Sequence, residues 1–157
     1  EVISADAEGR LVLADTLTYA QRQYQPRAII DLATLTGGVV IALGKVRAGL
    51  MSNDDALAQA LFSAGERSGE RLWPLPLDDD YFELIKGDDS DFKNSSEVRQ
   101  AHPIVGGIFL VQFIEPGVSW AHLDIAGPAT ADKDLPYSPK GATGFGVRLV
   151  LDYLSTI

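Results

Sequence analysis

Cysteine is absent from the 157 residues, so no disulfide framework and no thiolate site is available. Histidine is scarce too: His102 and His122 are the only two, too few for an imidazole-rich metal centre. Basic charge is also short. Thirteen Lys and Arg against 22 Asp and Glu leave a formal charge of -9, which argues against non-specific attraction to nucleic acid or to an anionic membrane surface. No apolar run reaches membrane-spanning length and no basic-plus-apolar leader opens the sequence. A soluble, cytoplasmic setting is therefore expected, and the lack of cysteine agrees with a reducing compartment. There is no initiator Met at the start, and the chain begins inside functional-looking residues, so it reads as a piece of a longer protein.

What is present suffices for a real core. An apolar content of 46% excludes a wholly disordered chain, and the length suits one domain. Leu13, Leu17, Ala20 and Tyr24 recur at helical spacing, which predicts a helix over about 11–24 that stops near Pro26. Ala28 to Leu32 is a short apolar strand candidate left by the turn "TLTGG", and "VVIALG" fits helix or strand. "AGLMS" reads as a strand, followed by a helix capped by Asp54 or Asp55 and running to about Ala64. "GERLWPLPLDDDYFELIKG" reads as a proline-punctuated loop entering a short amphipathic helix whose start carries Asp78, Asp79 and Asp80. "DDSDFKNSSEVRQAHP" is a long surface or site-lining loop, and Pro103 can open the next helix. "VSWAHLDIAG" is a strand, "ADKDLPYSPKGATG" a second long loop, and "FGVRLVLDYL" a helix packed on a sheet. Helices alternating with short buried strands predict an α/β layer structure, without repeats or a visible domain boundary.

The chemistry-bearing stretch is "SADAEGR" at the start. Asp6, Glu8 and Arg10 are spaced two apart, and on an extended segment alternate side chains leave the same side of the backbone. Two carboxylates so close repel unless a proton or cation intervenes, and hard divalent ions accept such oxygen ligands. The plainer alternative is an exposed helix start with acidic residues near the dipole and Arg10 paired to Glu8. Two ligands also fall short of a complete site for a common metal.

At "DAEGRLVLAD" the chain resembles the catalytic domain of the leucyl aminopeptidases (cytosol aminopeptidases), a di-metal exopeptidase family. "IIDLATLTGG", "ALG", "AGLMSND", "SGERLWPLPL", "DFKN", "WAHLDIAGPA" and "PKGATGFGVRLVLDYL" follow in that family's order and cover nearly the whole chain. The resemblance implies an α/β fold with a mixed sheet flanked by helices, incomplete here. Residues 1–157 then form the C-terminal portion of a single catalytic domain, with the upstream half and an N-terminal domain absent. It implies that Asp6 and Glu8 are metal ligands, Glu8 bridging two divalent ions (Mn²⁺ or Zn²⁺, or Mg²⁺). Arg10 is then the catalytic arginine, holding a bicarbonate that serves as general base. Arginine suits that task because its planar donor fork matches a carbonate-like oxyanion and stays charged. Backbone contacts to a peptide with a free N-terminus map onto Thr34, Leu35, Thr36 and Gly37, chiefly the Leu35 carbonyl and Gly37 amide, with Thr34 and Gly37 lining the first side-chain pocket. Gly106 and Gly107 stand where the family commonly has alanines, which either enlarges that pocket or alters helix packing. The whole protein is expected to release N-terminal residues from peptides and to assemble as a homohexamer, away from membranes and nucleic acid. The alternative is a non-catalytic scaffold or regulatory relative.

The family's two further metal-ligating aspartates, its metal-ligating lysine and its second catalytic lysine lie upstream of this signature. Lys45, Lys86, Lys93, Lys133 and Lys140 stand in the wrong motifs to replace them. The 157 residues alone are thus expected to be inactive, with Asp6 and Glu8 on a frayed end and a sheet edge left open. Among other residues, Trp120, His122 and Asp124 share one face of a core strand by alternation. A His–Asp relay is one reading, but no nucleophilic serine motif accompanies it, and a structural hydrogen bond for His122 is the plainer one. His102 reads as solvated. Asp31 interrupts an apolar strand, and a buried carboxylate there must be paired or hydrogen-bonded. "GATGFG" lacks the flanking pattern of a phosphate cradle and reads as tight packing.

Overall fold

Four apolar stretches come together as one mixed sheet in a computed structural model that describes residues 1–157. They are β1 (Ala28–Ala33), β2 (Ala48–Ser52), β3 (Leu72–Pro74) and β4 (Ser119–Asp124), in the order β1-β4-β2-β3. β1 and β4 run parallel with Asp31 opposite His122, β4 and β2 run antiparallel with Met51 opposite His122, and β2 and β3 run parallel. The α/β architecture with a mixed sheet flanked by helices is therefore as expected. β3 departs from expectation. Its prolines predict loop, yet Pro74 ends a short edge strand, where a missing N–H costs no ladder bond. The second long loop likewise carries a small hairpin, β5 (Thr130–Ala131) with β6 (Gly141–Ala142).

Side chains alternate across the strands, so each face of the sheet acquires its own layer. Ala48, Leu50, Ala121 and Leu123 pack under α3 (Asp55–Ser68) and α5 (Val147–Leu154), joining Leu57, Leu61, Ala64, Leu149 and Tyr153. The opposite face carries Trp120, which clusters with Ala14 and Leu17 of α1 (Gly9–Tyr24) and with Val105, Ile108 and Phe109 of α4 (His102–Val111). The ambiguous "VVIALG" resolves as a helix, α2 (Gly37–Leu43), because Thr36 caps it: the Thr36 hydroxyl accepts the Val39 amide. Asp54 rather than Asp55 caps α3, accepting the Ala56 and Leu57 amides, and the helix continues to Ser68 before Gly69 turns left-handed at φ 77°. The stretch after Asp78 is a 3₁₀ turn, Asp79–Leu84, instead of an amphipathic α-helix.

Gln21 fixes α1 to the end of α4. Its amide donates to Leu17 O and Phe113 O, and its Oε1 accepts the Glu115 amide. That anchors the helix whose first turn carries Arg10. No helix is long and apolar enough to cross a membrane.

Candidate active site

The "DAEGR" stretch is not extended. Ser4 is, at φ -135° and ψ 118°, but Ala5–Ala7 form a 3₁₀ turn and Glu8 is already helical, so the chain winds directly into α1. The expected two-residue alternation thus fails, and its physical reason is a side chain 90 residues away. Asn94, 1% exposed, accepts the Ile3 and Ser4 amides at 2.9 and 3.2 Å through Oδ1. Its Nδ2 donates to Ser4 O at 2.8 Å and Ala7 O at 3.3 Å. These bonds fold the backbone over. The end is also not frayed: Asn94 N donates to Glu1 O, and the Glu1 carboxylate accepts the amides of Asp88, Asp89 and Ser90, which pull its pKa below the ordinary value.

The three residues nevertheless meet. Asp6, Glu8 and Arg10 line one cleft of about 410 Å³ together with Leu13, Thr34 and Leu35. Asp6 and Glu8 are exposed in it. Arg10 is 6% exposed; its Nη1 donates to Asn94 O at 2.9 Å, and its guanidinium lies 5.9 Å from the centre of the Phe109 ring. Burial pulls the Arg10 pKa down, and the negative charge of Asp124 opposes that pull. Its Nε is buried with no acceptor in the protein.

The carboxylates are the hard oxygen donors that Mn²⁺ or Mg²⁺ prefer. No group of three or more His, Cys, Asp or Glu in the chain could hold a metal ion. The donors present therefore fit divalent ions in kind and fall short in number, so a complete coordination sphere needs oxygen or nitrogen donors from elsewhere.

The "TLTGG" turn is held by a residue whose role the sequence did not disclose. Asp124, fully buried at the end of β4, accepts the Leu35 amide at 3.1 Å, the Thr36 amide at 3.4 Å and the Thr36 hydroxyl at 2.6 Å. Thr34 and Leu35 reach the cleft, whereas the Thr36 side chain is committed to Asp124 and to capping α2. Gly37 is exposed at the first position of α2, beyond the cleft lining. Gly106 and Gly107 do not widen a pocket. Both are buried in α4; a Cβ on Gly106 would come 2.7 Å from Leu35 Cδ2, and one on Gly107 2.7 Å from Met51 Sδ. Of the two readings, helix packing is the one observed, and it seats α4 directly against the turn.

His122 and Asp31 form a buried pair inside the sheet. His122 Nδ1 lies 2.5 Å from Asp31 Oδ1, and Trp120 Nε1 donates to Asp31 Oδ2 at 2.7 Å. Asp31 thus organises β4, as a carboxylate in an apolar strand must be organised by something. Neither residue lines the cleft, and no serine joins them. His102 is exposed, as expected.

Asn94 is not singled out by the sequence, and Asp124 only as a relay partner for His122, whereas His122 pairs with Asp31 and Asp124 holds Leu35 and Thr36. A carboxylate on the strand "SWAHLD" carries a signal, since burial there demands several donors. Asn94 carries less: it is one amide in a polar loop, and its burial follows from its neighbours. Phe92 packs edge-on against Phe82, Phe109 and Phe113, and Lys93 is tied by Asp88 and Glu97, each at 2.8 Å, which raises its pKa.

Residues 1–151 match the model of the cytosol aminopeptidase family, catalytic domain. The chain is 57% identical over 152 residues to a probable cytosol aminopeptidase of Syntrophobacter fumaroxidans, covering 97% of this chain and 30% of that protein. To the probable cytosol aminopeptidase of Roseiflexus castenholzii it is 57% identical over 155 residues, 98% of this chain and 31% of that protein. Among solved structures, a variant of tomato leucine aminopeptidase superposes with a TM-score of 0.93 at 42% identity, covering 100% of this chain and 30% of that one. The bottromycin maturation enzyme BotP in complex with Mn superposes with a TM-score of 0.94 at 40% identity, covering 99% and 35%. The chain thus spans about 30% of the length of the curated relatives it matches.

Proposed function

Since the chain belongs to the cytosol aminopeptidase family, we propose that it forms one wall of a di-metal active site that releases N-terminal residues from peptides. The observation that carries this reading is the convergence of Asp6, Glu8, Arg10, Thr34 and Leu35 on one cleft. Asp6 and Glu8 would be ligands to the divalent ions (Mn²⁺, Zn²⁺ or Mg²⁺), with Glu8 serving both. Bound there, the ions supply polarisation of the scissile carbonyl, a water of lowered pKa and an anchor for the substrate's free amine. Arg10 would hold a bicarbonate, which would supply a general base there; a buried, always-charged guanidinium in the cleft wall supports that role. The Thr34–Gly37 turn carries the peptide backbone, and Asp124 keeps that turn rigid from behind. Family membership is the support for placing the working enzyme in the cytoplasm as a homohexamer.

The test is turnover of a free and an N-acetylated peptide by the full-length protein, before and after chelation. Only the free peptide is expected to be cleaved, and chelation is expected to stop it. Equal turnover of both peptides sinks the exopeptidase reading. The 157 residues alone, with only two carboxylate ligands, are expected to show no turnover even in excess Mn²⁺.

A further inference from the structure

The 3₁₀ turn that carries Asp6 and the guanidinium of Arg10 depend on one residue. Around Asn94, four side-chain hydrogen bonds reach the backbone of Ile3, Ser4 and Ala7, and its own carbonyl receives Arg10 Nη1. Glu1 ties the start of the stretch to residues 88–90, but no other side chain bonds the backbone of Ile3, Ser4 or Ala7. No side-chain cap closes the start of the 3₁₀ turn or of α1, and the turn has no buried residue of its own. The clamp itself is braced, since Asn94 follows Lys93, paired with Asp88 and Glu97, and Phe92 in the aromatic cluster.

We propose that Asn94 is a positioning residue that sets the ion-ligating carboxylates and Arg10 as one unit, so that ion affinity and guanidinium placement stand or fall together. This rests on the reading of Asp6 and Glu8 as ion ligands. A carboxamide suits the position because it alone, at that size, offers two acceptor lone pairs and two donors. Asn94→Asp keeps the shape and the acceptor half, but sets an oxygen against Ser4 O and Ala7 O. Asn94→Ala keeps only the backbone links to Arg10 and Glu1.

The experiment combines calorimetric Mn²⁺ titration of the metal-free, full-length protein with amide hydrogen exchange. Loss of such a supporting contact typically weakens ion binding about 10–100-fold, and Asn94→Ala is expected within that range, with Asn94→Asp between it and the wild type. In the unsubstituted, metal-free protein, the Ile3 and Ser4 amides are expected to exchange slowly, and in Asn94→Ala quickly, while amides of β2 and α3 stay protected. Wild-type ion affinity in a folded Asn94→Ala protein overturns the proposal. Should that variant not fold, fast exchange at Ile3 and Ser4 in the unsubstituted protein overturns it equally. If the unsubstituted protein binds no Mn²⁺ while these amides are protected, the ligand reading fails and the coupling proposed here fails with it. The exchange data then show the clamp intact, which distinguishes that case from failure of the clamp itself.

Discussion

On one face of β4, Ala121 and Leu123 sit in a cluster of ten buried apolar residues roofed by α3 and α5. On the other face of the same strand, Trp120 and His122 hold the Asp31 carboxylate, and Asp124 holds the Leu35–Thr36 turn. The first face is stabilised by area removed from water, which is non-directional and forgiving of shape-conserving change. The second depends on directed bonds between buried polar groups, each of which is costly when its partner is lost. Its helices also approach through glycine, with α2 meeting α4 at Gly38 and α4 meeting the turn at Gly106. Both layers bury apolar side chains, and the second also uses buried polar groups to fix geometry.

Substitutions can break that contrast. The largest effect is expected at the cleft. Glu8→Ala in the full-length protein is expected to abolish both Mn²⁺ binding and turnover, whereas Arg10→Ala is expected to lower kcat by about 10²–10³-fold at nearly normal ion content. Metal analysis alongside kinetics decides it; equal ion loss in both variants refutes the division of labour. On the apolar face, Leu61 is fully buried, and Leu61→Ala is expected to cost about 2–5 kcal/mol in denaturant melts while leaving KM near wild type. A large change in KM there would show that the two layers are not independent.

Gly106→Ala sharpens the comparison from the other side. Its methyl must displace Leu35, so about 1–3 kcal/mol of stability is expected to be lost together with a rise in KM. Unchanged KM would detach α4 from the substrate turn. The smallest effect is expected at Asp54, whose carboxylate is held below its ordinary value of 3.8, first by the Ser119 hydroxyl and then by the α3 amides. A depressed carboxylate contributes stability that is present above its unfolded value and lost as pH falls through the folded one. Asp54→Ala is therefore expected to lower Tm slightly at neutral pH, with the gap to wild type closing below 3.8. A gap that persists in acid would place the contribution in packing.

The sequence carried the elements better than it carried the site's geometry. Strands at "AGLMS" and "SWAHLD", and helices at "LVLADTLTYA" and "RLVLDYL", follow from patterns local to each segment. Identifying Asp6, Glu8 and Arg10 as a group also needed only neighbouring residues. Their conformation did not follow, because alternation along an extended chain was cancelled by Asn94, and spacing contains no information about a partner 90 residues away. Pro74 misleads for a related reason, since a proline is tolerated once the strand is at an edge. The two readings of Gly106 could not be separated by sequence, because the side chain against it, Leu35, is 71 residues away.

The separations in these contacts order events in time. Ile3 meets Asn94 across 91 residues, Arg10 meets Asn94 across 84, Leu35 meets Asp124 across 89, and Asp31 meets His122 across 91. Arg47, by contrast, reaches Glu66 and Leu72 across 19 and 25. Loop closure costs about 0.6 kcal/mol more per doubling of length, so the β2–α3–β3 unit can form while the cleft is still unmade. In synthesis, Asp6 and Glu8 leave the ribosome before Asn94 and then wait for it to emerge. A chain interrupted between them exposes its two carboxylates without the turn that aims them, and the cleft matures only once Asn94 and Asp124 have both been made.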